Sequence, residues 1–274
     1  MKPQPGFWCG TNNSMKIVLE TLAVAFGMFS AVPLPQPEWN KRNMRYALCA
    51  FPAVGAVSGA ALLGFAALAN ALHTGVMFRA AGLCLLPVLI TGGIHLDGFA
   101  DTCDALASCA DPAQKQQILA DPHCGAFAVI RLCSWFLASF ALWAQLVPTP
   151  RALLCLGIGQ VVSRALSGYA VARFPLAKDT GLAHTFASAA DKMRTGRFLA
   201  ALAALGMAGQ ILCGGVLGVG AALAALGCLW HYKKTAQKQF GGISGDLAGW
   251  FLVRCELWQL AACVACQLIA GVMP

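Results

Sequence analysis

Charged side chains are scarce in this sequence. Asp, Glu, Lys and Arg make up 11% of its 274 residues, whereas roughly a quarter of a soluble domain is charged. Apolar residues account for 58% of the chain, and the mean hydropathy is +0.67. This shortage of charge excludes an ordinary water-soluble fold, because so apolar a chain divides more naturally into membrane spans of about 20 residues. We therefore predict an all-α fold, a polytopic transmembrane helix bundle.

The sequence also lacks the compact pattern of a cleaved secretory signal. Lys2, two prolines and Trp8 precede the first apolar run, which is not the arrangement of a signal peptide. Residues 1–16 are therefore expected to be an N-terminal tail that stays attached. The whole chain, 1–274, is predicted to form a single integral membrane domain.

Apolar runs recur along the chain at the length of membrane spans. We predict seven or eight spans, at 46–71, 76–94, 125–147, 152–172, 198–212, 216–230 and 247–272, with a shorter run at 17–32. The short run contains Glu20 and ends in a proline-rich segment. The sequence leaves open whether this run crosses the membrane and on which side the N-terminus lies.

Four polar stretches separate the apolar runs, at 33–45, 95–124, 173–197 and 231–246. They carry 12 of the 19 Lys and Arg residues and nine of the 11 acidic residues. Because an excess of Lys and Arg marks the cytoplasmic side, we predict that all four are cytoplasmic loops and that the active site faces the cytoplasm. The net charge of +8 thus fits membrane topology, and no nucleic-acid partner is expected.

An acidic motif opens the second polar stretch, Thr91-Gly92-Gly93-Ile94-His95-Leu96-Asp97-Gly98-Phe99-Ala100-Asp101-Thr102-Cys103-Asp104. On a helix, Asp97, Asp101 and Asp104 fall within an arc of about 60°. Three carboxylates this close favour a divalent cation, and oxygen ligands suit Mg²⁺. The alternative is an N-cap at Asp97 followed by solvated surface residues. His95 faces away from the aspartates on such a helix, which favours a positioning or hydrogen-bonding role.

Three further features are candidates for the same site. Asp121 comes before His123 and Gly125, where it either adds a ligand or base or forms a turn. The stretch 240–246 contains glycines that permit close approach to a phosphate, and Lys238 lies beside it. Arg164 lies within an apolar run, where it either reaches a phosphate or pairs with an acidic side chain.

On these residues the chain resembles the adenosylcobinamide-GDP ribazoletransferase family, also called cobalamin-5′-phosphate synthase. The aspartate motif carries the resemblance, with support from Phe51-Pro52-Ala53-Val54-Gly55, Ser163-Arg164 and Gly241-Gly242-Ile243-Ser244-Gly245-Asp246. The resemblance implies a multi-pass protein of the bacterial inner membrane, surrounded by membrane lipid. It also implies an Mg²⁺-dependent reaction that joins adenosylcobinamide-GDP to α-ribazole or its 5′-phosphate and releases GMP.

The resemblance also suggests roles for residues of this chain. The catalytic candidates are Asp97, Asp101, Asp104 and Asp121, of which the first three are the metal ligands. The substrate-binding candidates are His95, His123, Gly125, Arg164, Lys238, Gly241, Gly242, Ser244, Gly245 and Asp246. The chain departs from the family pattern at Ala31 and His123, where many members have arginine, so two arginines that could bind phosphate are absent here.

Two other functions compete with this one. A CDP-alcohol phosphotransferase also sets aspartates on membrane helices, but its motif usually has Ala-Arg after Asp-Gly, and no such arginine follows Asp97-Gly98 here. A divalent cation transporter would favour acidic residues near the middle of the bilayer, whereas these lie at the end of a span. The sequence does not decide whether the chain forms a homo-oligomer.

Overall fold

The computed structural model describes residues 13–272, which form twelve helices and no β-strand. In chain order the helices are α1 Asn13–Phe29, α2 Lys41–Met44, α3 Ala47–Ala71, α4 Val76–Thr91, α5 Ile94–Ala107, α6 Pro112–Ile118, α7 Ala126–Gln145, α8 Pro150–Arg173, α9 Gly181–Ala189, α10 Lys192–Gly214, α11 Val216–Phe240 and α12 Gly245–Ile269. The predicted all-α bundle is confirmed.

Six of these helices are long and apolar enough to cross a membrane, namely α3, α7, α8, α10, α11 and α12. A seventh span is possible if α4 and α5 are counted together, although they are bent by 96°. The bend lies at Gly92 and Gly93, whose φ angles are +65° and +81°, a conformation that glycine adopts without steric cost. With that pair included, the number of spans is seven, the lower of the two numbers predicted. Helix α1, with 17 residues, is not among the six.

Helix α8 is the most buried span and lies at the centre of the bundle. Its small residues allow close packing: a Cβ on Gly59 would collide with the carbonyl of Gly157, and one on Gly55 with that of Gln160. Glycines four residues apart allow two membrane helices to come into backbone contact. The amino-terminal half of α8 is thereby held against the middle of α3.

The four polar stretches contact one another at one end of the bundle. Arg45 forms an ion pair with Asp191 at 3.1 Å, and Gln116 donates a hydrogen bond to the carbonyl of Phe240 at 2.8 Å. The Ala177 N–H donates to the Ile243 carbonyl at 2.9 Å. The stretches also contain helices: α5 and α6 lie within 95–124, α9 lies within 173–197, and α11 continues to Phe240.

The end of α1 belongs to this same end of the bundle. The Ala31 N–H donates a hydrogen bond of 2.8 Å to the carbonyl of Ile90, near the end of α4. Gln36 folds back along the proline-rich segment and donates to the carbonyl of Ala23 at 3.1 Å. These contacts place Met28 and Phe29 beside the acidic motif.

Candidate active site

Helix α5 carries Asp97, Asp101 and Asp104, and it begins directly after the bend at Gly93. Phe99 lies two residues after Asp97, and Cys103 lies two residues after Asp101; both are buried. At 100° per residue, a two-residue offset places a side chain on the opposite side of the helix. The predicted arrangement of the three aspartates along one side of a helix is therefore present.

Close contact between α5 and α12 brings a fourth carboxylate to this helix. A Cβ on Gly98 would lie 2.8 Å from the Cα of Asp246, and a Cβ on Gly249 would lie 3.0 Å from the carbonyl oxygen of His95. The first distance is shorter than real Cβ atoms show, and the second is tighter than nine in ten real Cβ contacts. The two glycines thus place Asp246, at the start of α12, beside the aspartates of α5.

The four carboxylates act on one another electrostatically. Burial, and then the charges of Asp97, Asp246 and Asp104, oppose ionisation of Asp101. The ion pairs among the described residues involve Asp121, Asp191 and Glu256 as the acidic partners, so none of the four carboxylates has a basic partner there. Neighbouring carboxylates without such a partner favour the binding of a cation.

The side chains are not placed as metal ligands. Among the described residues, no group of three His, Cys, Asp or Glu side chains has the arrangement needed to hold a metal ion. The expectation that Asp97, Asp101 and Asp104 point at one atom is therefore not met in this structure. The donor chemistry nevertheless fits Mg²⁺, which prefers carboxylate oxygens, and the three residues lie on one helix from which their side chains can turn inward.

Two cavities meet at Asp246; Asp97 lines one of them, and Asp101 and Asp104 line neither. The first, here called the aromatic chamber, has a volume of about 250 Å³. Asp97, Gly98 and Asp246 line it on one side. The other walls include Met28, Phe29, Phe51, His95, Ser167 and Phe186.

The rings of the aromatic chamber pack against one another. The centroid of Phe29 lies 4.2 Å from that of Phe51 and 5.5 Å from that of Phe186. The His95 ring lies 5.7 Å from Phe51. The sequence analysis did not select Phe29 or Phe186 as site residues, because a lone phenylalanine in an apolar run looks like any other packed side chain.

The second cavity, here called the polar chamber, has a volume of about 280 Å³. Its walls include Gln116, Lys178, Thr180, His184 and Ser244. Lys178 donates a hydrogen bond of 3.0 Å to the carbonyl of Gln116, and its charge favours the ionised form of Asp246. In the sequence, Lys178 is one of several basic residues in the polar stretch 173–197. Its neighbours, Ala177 and Asp179, form no motif that would distinguish it from the others.

Ala183, Gly245 and Asp246 line both chambers. Asp246 is thus the acidic residue at the junction, with the aromatic rings on one side and Lys178 on the other. A site of this form can hold two different molecules and bring their reacting ends together at one carboxylate cluster.

The glycines of 240–246 have separate roles. Gly241, with φ of +74°, ends α11. Gly242 permits close packing, since its Cβ would lie 2.6 Å from the backbone nitrogen of Ala177. Neither lines a chamber, whereas Gly245 lines both. Ser244 caps α12 by accepting a hydrogen bond of 3.3 Å from the Leu247 N–H.

Lys238 projects from the exposed side of α11 and lines neither chamber. Substrate contact through Lys238 is therefore not supported by its position. Lys178, which lines the polar chamber with Gly245 and Asp246, is the basic residue that lies where Lys238 was expected.

Asp121 and His123 form an exposed turn with each other. The His123 backbone N–H donates to Asp121 at 2.9 Å, and the His123 ring lies 2.6 Å from the same carboxylate oxygen. The backbone hydrogen bond, followed by the ring contact, lowers the pKa of Asp121 below its ordinary value. Gly125, two residues later, packs directly against the Asp104 carboxylate. The turn is therefore adjacent to the carboxylate cluster, although neither Asp121 nor His123 lines a chamber.

Arg164 has an acidic partner inside the bundle. It is completely buried in α8 and forms an ion pair with Glu256 of α12. It also donates to the carbonyl of Gln160 at 2.9 Å. Of the two roles that the sequence left open, structural pairing is the one that these contacts support, and Arg164 lines neither chamber.

His95 differs from Arg164 because it reaches the aromatic chamber. Its side chain is 8% exposed, and its Nε2 atom is buried with no hydrogen-bond partner among the described residues. A buried polar atom without a partner carries a desolvation cost. His95 is thus placed to bond a polar group in the chamber.

Comparisons with known proteins extend over most of the chain. A family model described as cobalamin-5-phosphate synthase matches residues 21–264. A relative from Lachnoclostridium phytofermentans, named adenosylcobinamide-GDP ribazoletransferase, is 42% identical over 91% of this chain and 95% of its own length. Relatives of the same name from Geobacillus thermodenitrificans and Pseudomonas savastanoi pv. phaseolicola are 34% and 32% identical, over 82% and 86% of this chain and 88% and 92% of their own lengths. No solved structure matches the chain.

Proposed function

The chain belongs to the cobalamin-5-phosphate synthase family and is a transferase, and on that basis we propose the reaction that its two chambers carry out. It joins adenosylcobinamide-GDP to α-ribazole or its 5′-phosphate and releases GMP. The products are adenosylcobalamin or its 5′-phosphate, and the reaction takes place on the cytoplasmic face of the inner membrane.

The aromatic chamber is proposed to bind the ribazole. Ribazole is a nucleoside with a flat heteroaromatic base, and Phe29, Phe51 and Phe186 offer ring faces and edges for such a base. His95 supplies a polar atom without a partner at the wall of the same chamber. The aromatic rings would pack against the base, and His95 would form a hydrogen bond with a polar group of the same nucleoside.

The polar chamber is proposed to bind the nucleotide end of adenosylcobinamide-GDP. Lys178 provides a positive charge for the diphosphate, and the chamber reaches Gly245 and Asp246 at the first turn of α12. Free N–H groups and the positive end of the helix dipole favour a phosphate at such a position. Gln116, Thr180 and Ser244 add hydrogen-bonding groups for the same ligand.

The reacting phosphorus is then placed at the junction of the chambers. A ribazole hydroxyl attacks the phosphorus linked to cobinamide, a new P–O bond forms, and the bond to the GMP phosphate oxygen breaks. Asp246 accepts the hydroxyl proton, because it is the carboxylate that lines both chambers. Bound by Asp97, Asp101 and Asp104, Mg²⁺ would stabilise the negative charge that develops on the departing GMP.

One observation supports this proposal most strongly. Two cavities of different chemistry share Asp246, and Asp246 lies within electrostatic range of Asp97 and Asp101. A joining reaction needs two substrates at one catalytic cluster, and this arrangement provides it. A cation transporter would not need two chambers lined by different classes of side chain.

The test is an assay of the purified protein with adenosylcobinamide-GDP, α-ribazole or its 5′-phosphate, and Mg²⁺. Formation of GMP and a cobalamin product supports the activity, and absence of both rejects it. The chambers are tested by the KM values of two variants. Phe186→Leu should raise KM for the ribazole about 5-fold and leave that for adenosylcobinamide-GDP unchanged, since a missing stacking contact is worth about 1 kcal/mol.

Lys178→Gln should produce the opposite result. It should raise KM for adenosylcobinamide-GDP about 10-fold or more, because a charge-assisted phosphate contact contributes about 1.5–3 kcal/mol. The KM for the ribazole should stay unchanged. The assignment of the chambers is rejected if both variants affect the same substrate, or if each affects the one assigned to the other chamber.

A further inference from the structure

A third cavity lies on the other side of α5 from the aspartates. It is a groove of about 480 Å³ between α5, α7 and α12. Its walls include Phe99 and Cys103 of α5, Arg131 and Trp135 of α7, and Trp250, Arg254 and Trp258 of α12. We call it the arginine groove, and the body of α5 separates it from the carboxylate cluster.

Neither arginine of the groove has an acidic partner among the described residues. The ion pairs among the described residues involve Arg45, Arg194, His123 and Arg164 as the basic members. Arg254 lies over the ring of Trp250, 4.4 Å from its centroid, a cation–π contact that leaves its charge uncompensated. Both arginines line this one groove, so their positive charges face the same cavity.

The depth of these charges in the bilayer can be read from the helices. Arg131 lies five residues after the start of α7 and Arg254 nine residues after the start of α12. At 1.5 Å per residue, these positions are about 8 and about 14 Å from the helix ends. Long arginine side chains reach back toward the interface from such depths, and tryptophan is the residue typical of that level.

The exterior of α7 is suited to lipid. Phe127, Ile130 and Leu137 are exposed on it, Leu137 by 71%, and the helix contributes few buried residues to the core. An amphiphile with its head group in the groove would place its tails along this surface. The occupant required is thus negatively charged at one end and apolar at the other.

We propose that the arginine groove binds an anionic phospholipid, with its phosphate between Arg131 and Arg254 and its acyl chains along α7. The lipid neutralises two charges that no side chain of the described bundle neutralises. It also links α7 and α12 to α5, the helix that carries the aspartates.

The test uses the full chain in nanodiscs of phosphatidylcholine with increasing phosphatidylglycerol, and native mass spectrometry of the lipids that remain bound. The wild type should retain phosphatidylglycerol at least 10-fold over phosphatidylcholine. The double variant R131Q/R254Q should lose this preference, whereas R131K/R254K should keep part of it. Arg151→Gln, at the opposite end of the bundle, is the matched control and should retain the preference.

A stability measurement separates lipid binding from a purely structural role. In phosphatidylcholine alone, the glutamine double variant should unfold at the same temperature as the wild type or higher, because two unpaired charges are removed. Added phosphatidylglycerol should raise the unfolding temperature of the wild type only.

Three results would overturn the proposal. The first is a wild type that shows no preference for phosphatidylglycerol, a result that needs no variant to fold. The second is displacement of the bound lipid by inorganic phosphate or GMP, which would make the groove a substrate site. The third is dissociation of an oligomer in the glutamine variants with no change in bound lipid, which would make the groove an interface between copies.

Discussion

At the scale of single residues, the aspartates of the motif and Arg164 show what spacing can and cannot predict. The spacing of Asp97, Asp101 and Asp104 predicted one side of a helix, and α5 has them there. Asp246 joins them only because α12 packs on Gly98, and such a tertiary contact has no sequence spacing. The partner of Arg164 was unpredictable for the same reason, since Glu256 is 92 residues away.

The ion pair between Arg164 and Glu256 gives a prediction about stability. Glu256→Gln should destabilise the protein by about 3 kcal/mol, because it leaves a completely buried guanidinium uncompensated. The double variant R164M/E256Q removes both charges and should recover most of that loss. Thermal unfolding in detergent would measure both effects.

The control for this pair is a kinetic one. If Arg164 instead held a substrate phosphate, Arg164→Met would raise KM and leave the unfolding temperature unchanged. The double variant would then unfold at no higher temperature than the single variants. That pattern would contradict the structural role assigned to the pair.

At the scale of helices, the polar stretch before Gly245 was more helical than expected. The apolar run was predicted to end at 230, but α11 continues to Phe240. Tyr232, Ala236 and Phe240 are buried at a spacing of four, while Lys233, Lys234 and Lys238 are exposed. The amphipathic pattern was visible in the sequence, but a search for apolar runs does not detect it.

The bend between α4 and α5 was missed for a different reason. Residues 76–94 are one continuous apolar run, and hydropathy does not register the positive φ angles of Gly92 and Gly93. The bend matters for the site, because it turns α5 out of the direction of α4 and toward α12.

The contact between α5 and α12 gives a second prediction. Gly98→Ala places a methyl group 2.8 Å from the Cα of Asp246, so α12 must shift away from α5. Turnover should fall at least 10-fold, since misplacement by about 1 Å can cost 100-fold, while the helix content in circular dichroism stays unchanged.

Gly227→Ala is the control for the packing of α5 on α12. A Cβ at Gly227 meets nothing within 4 Å, so this variant should keep wild-type turnover. Full activity of Gly98→Ala, or equal losses in both variants, would mean that close packing at Gly98 does not position the site.

At the scale of the whole molecule, the distribution of charge predicted which ends of the helices come together. The four polar stretches do meet at one end of the bundle, because an even alternation of spans returns each to the same side. The sequence could not show that this end contains two chambers, since their walls combine residues from α1, α3, α5, α8, α9 and α12.

The orientation of the molecule gives a third prediction. Lys and Arg are concentrated at the end that carries the site, so this end should face the cytoplasm. Cys109 and Cys124 are free, exposed and at this end. A membrane-impermeant maleimide should label them in inside-out vesicles and not in intact spheroplasts.

The double variant C109S/C124S is the control for the labelling. It should abolish the signal from inside-out vesicles, which shows that the signal comes from these two thiols. Labelling in intact spheroplasts that C109S/C124S abolishes would place the site on the outer face and reverse the proposed orientation.

The central claim is that the carboxylates of α5 hold a divalent cation beside Asp246 of α12, and binding of Mn²⁺, followed by electron paramagnetic resonance, tests it most directly. Asp101 is the residue whose ionisation is opposed by burial and by the charges of Asp97, Asp246 and Asp104. Asp101→Asn should therefore weaken Mn²⁺ binding at least 10-fold and lower turnover about 100-fold. Asp111→Asn, in which asparagine can still cap α6, should bind Mn²⁺ like the wild type. Equal Mn²⁺ affinity of Asp101→Asn and the wild type would contradict the account.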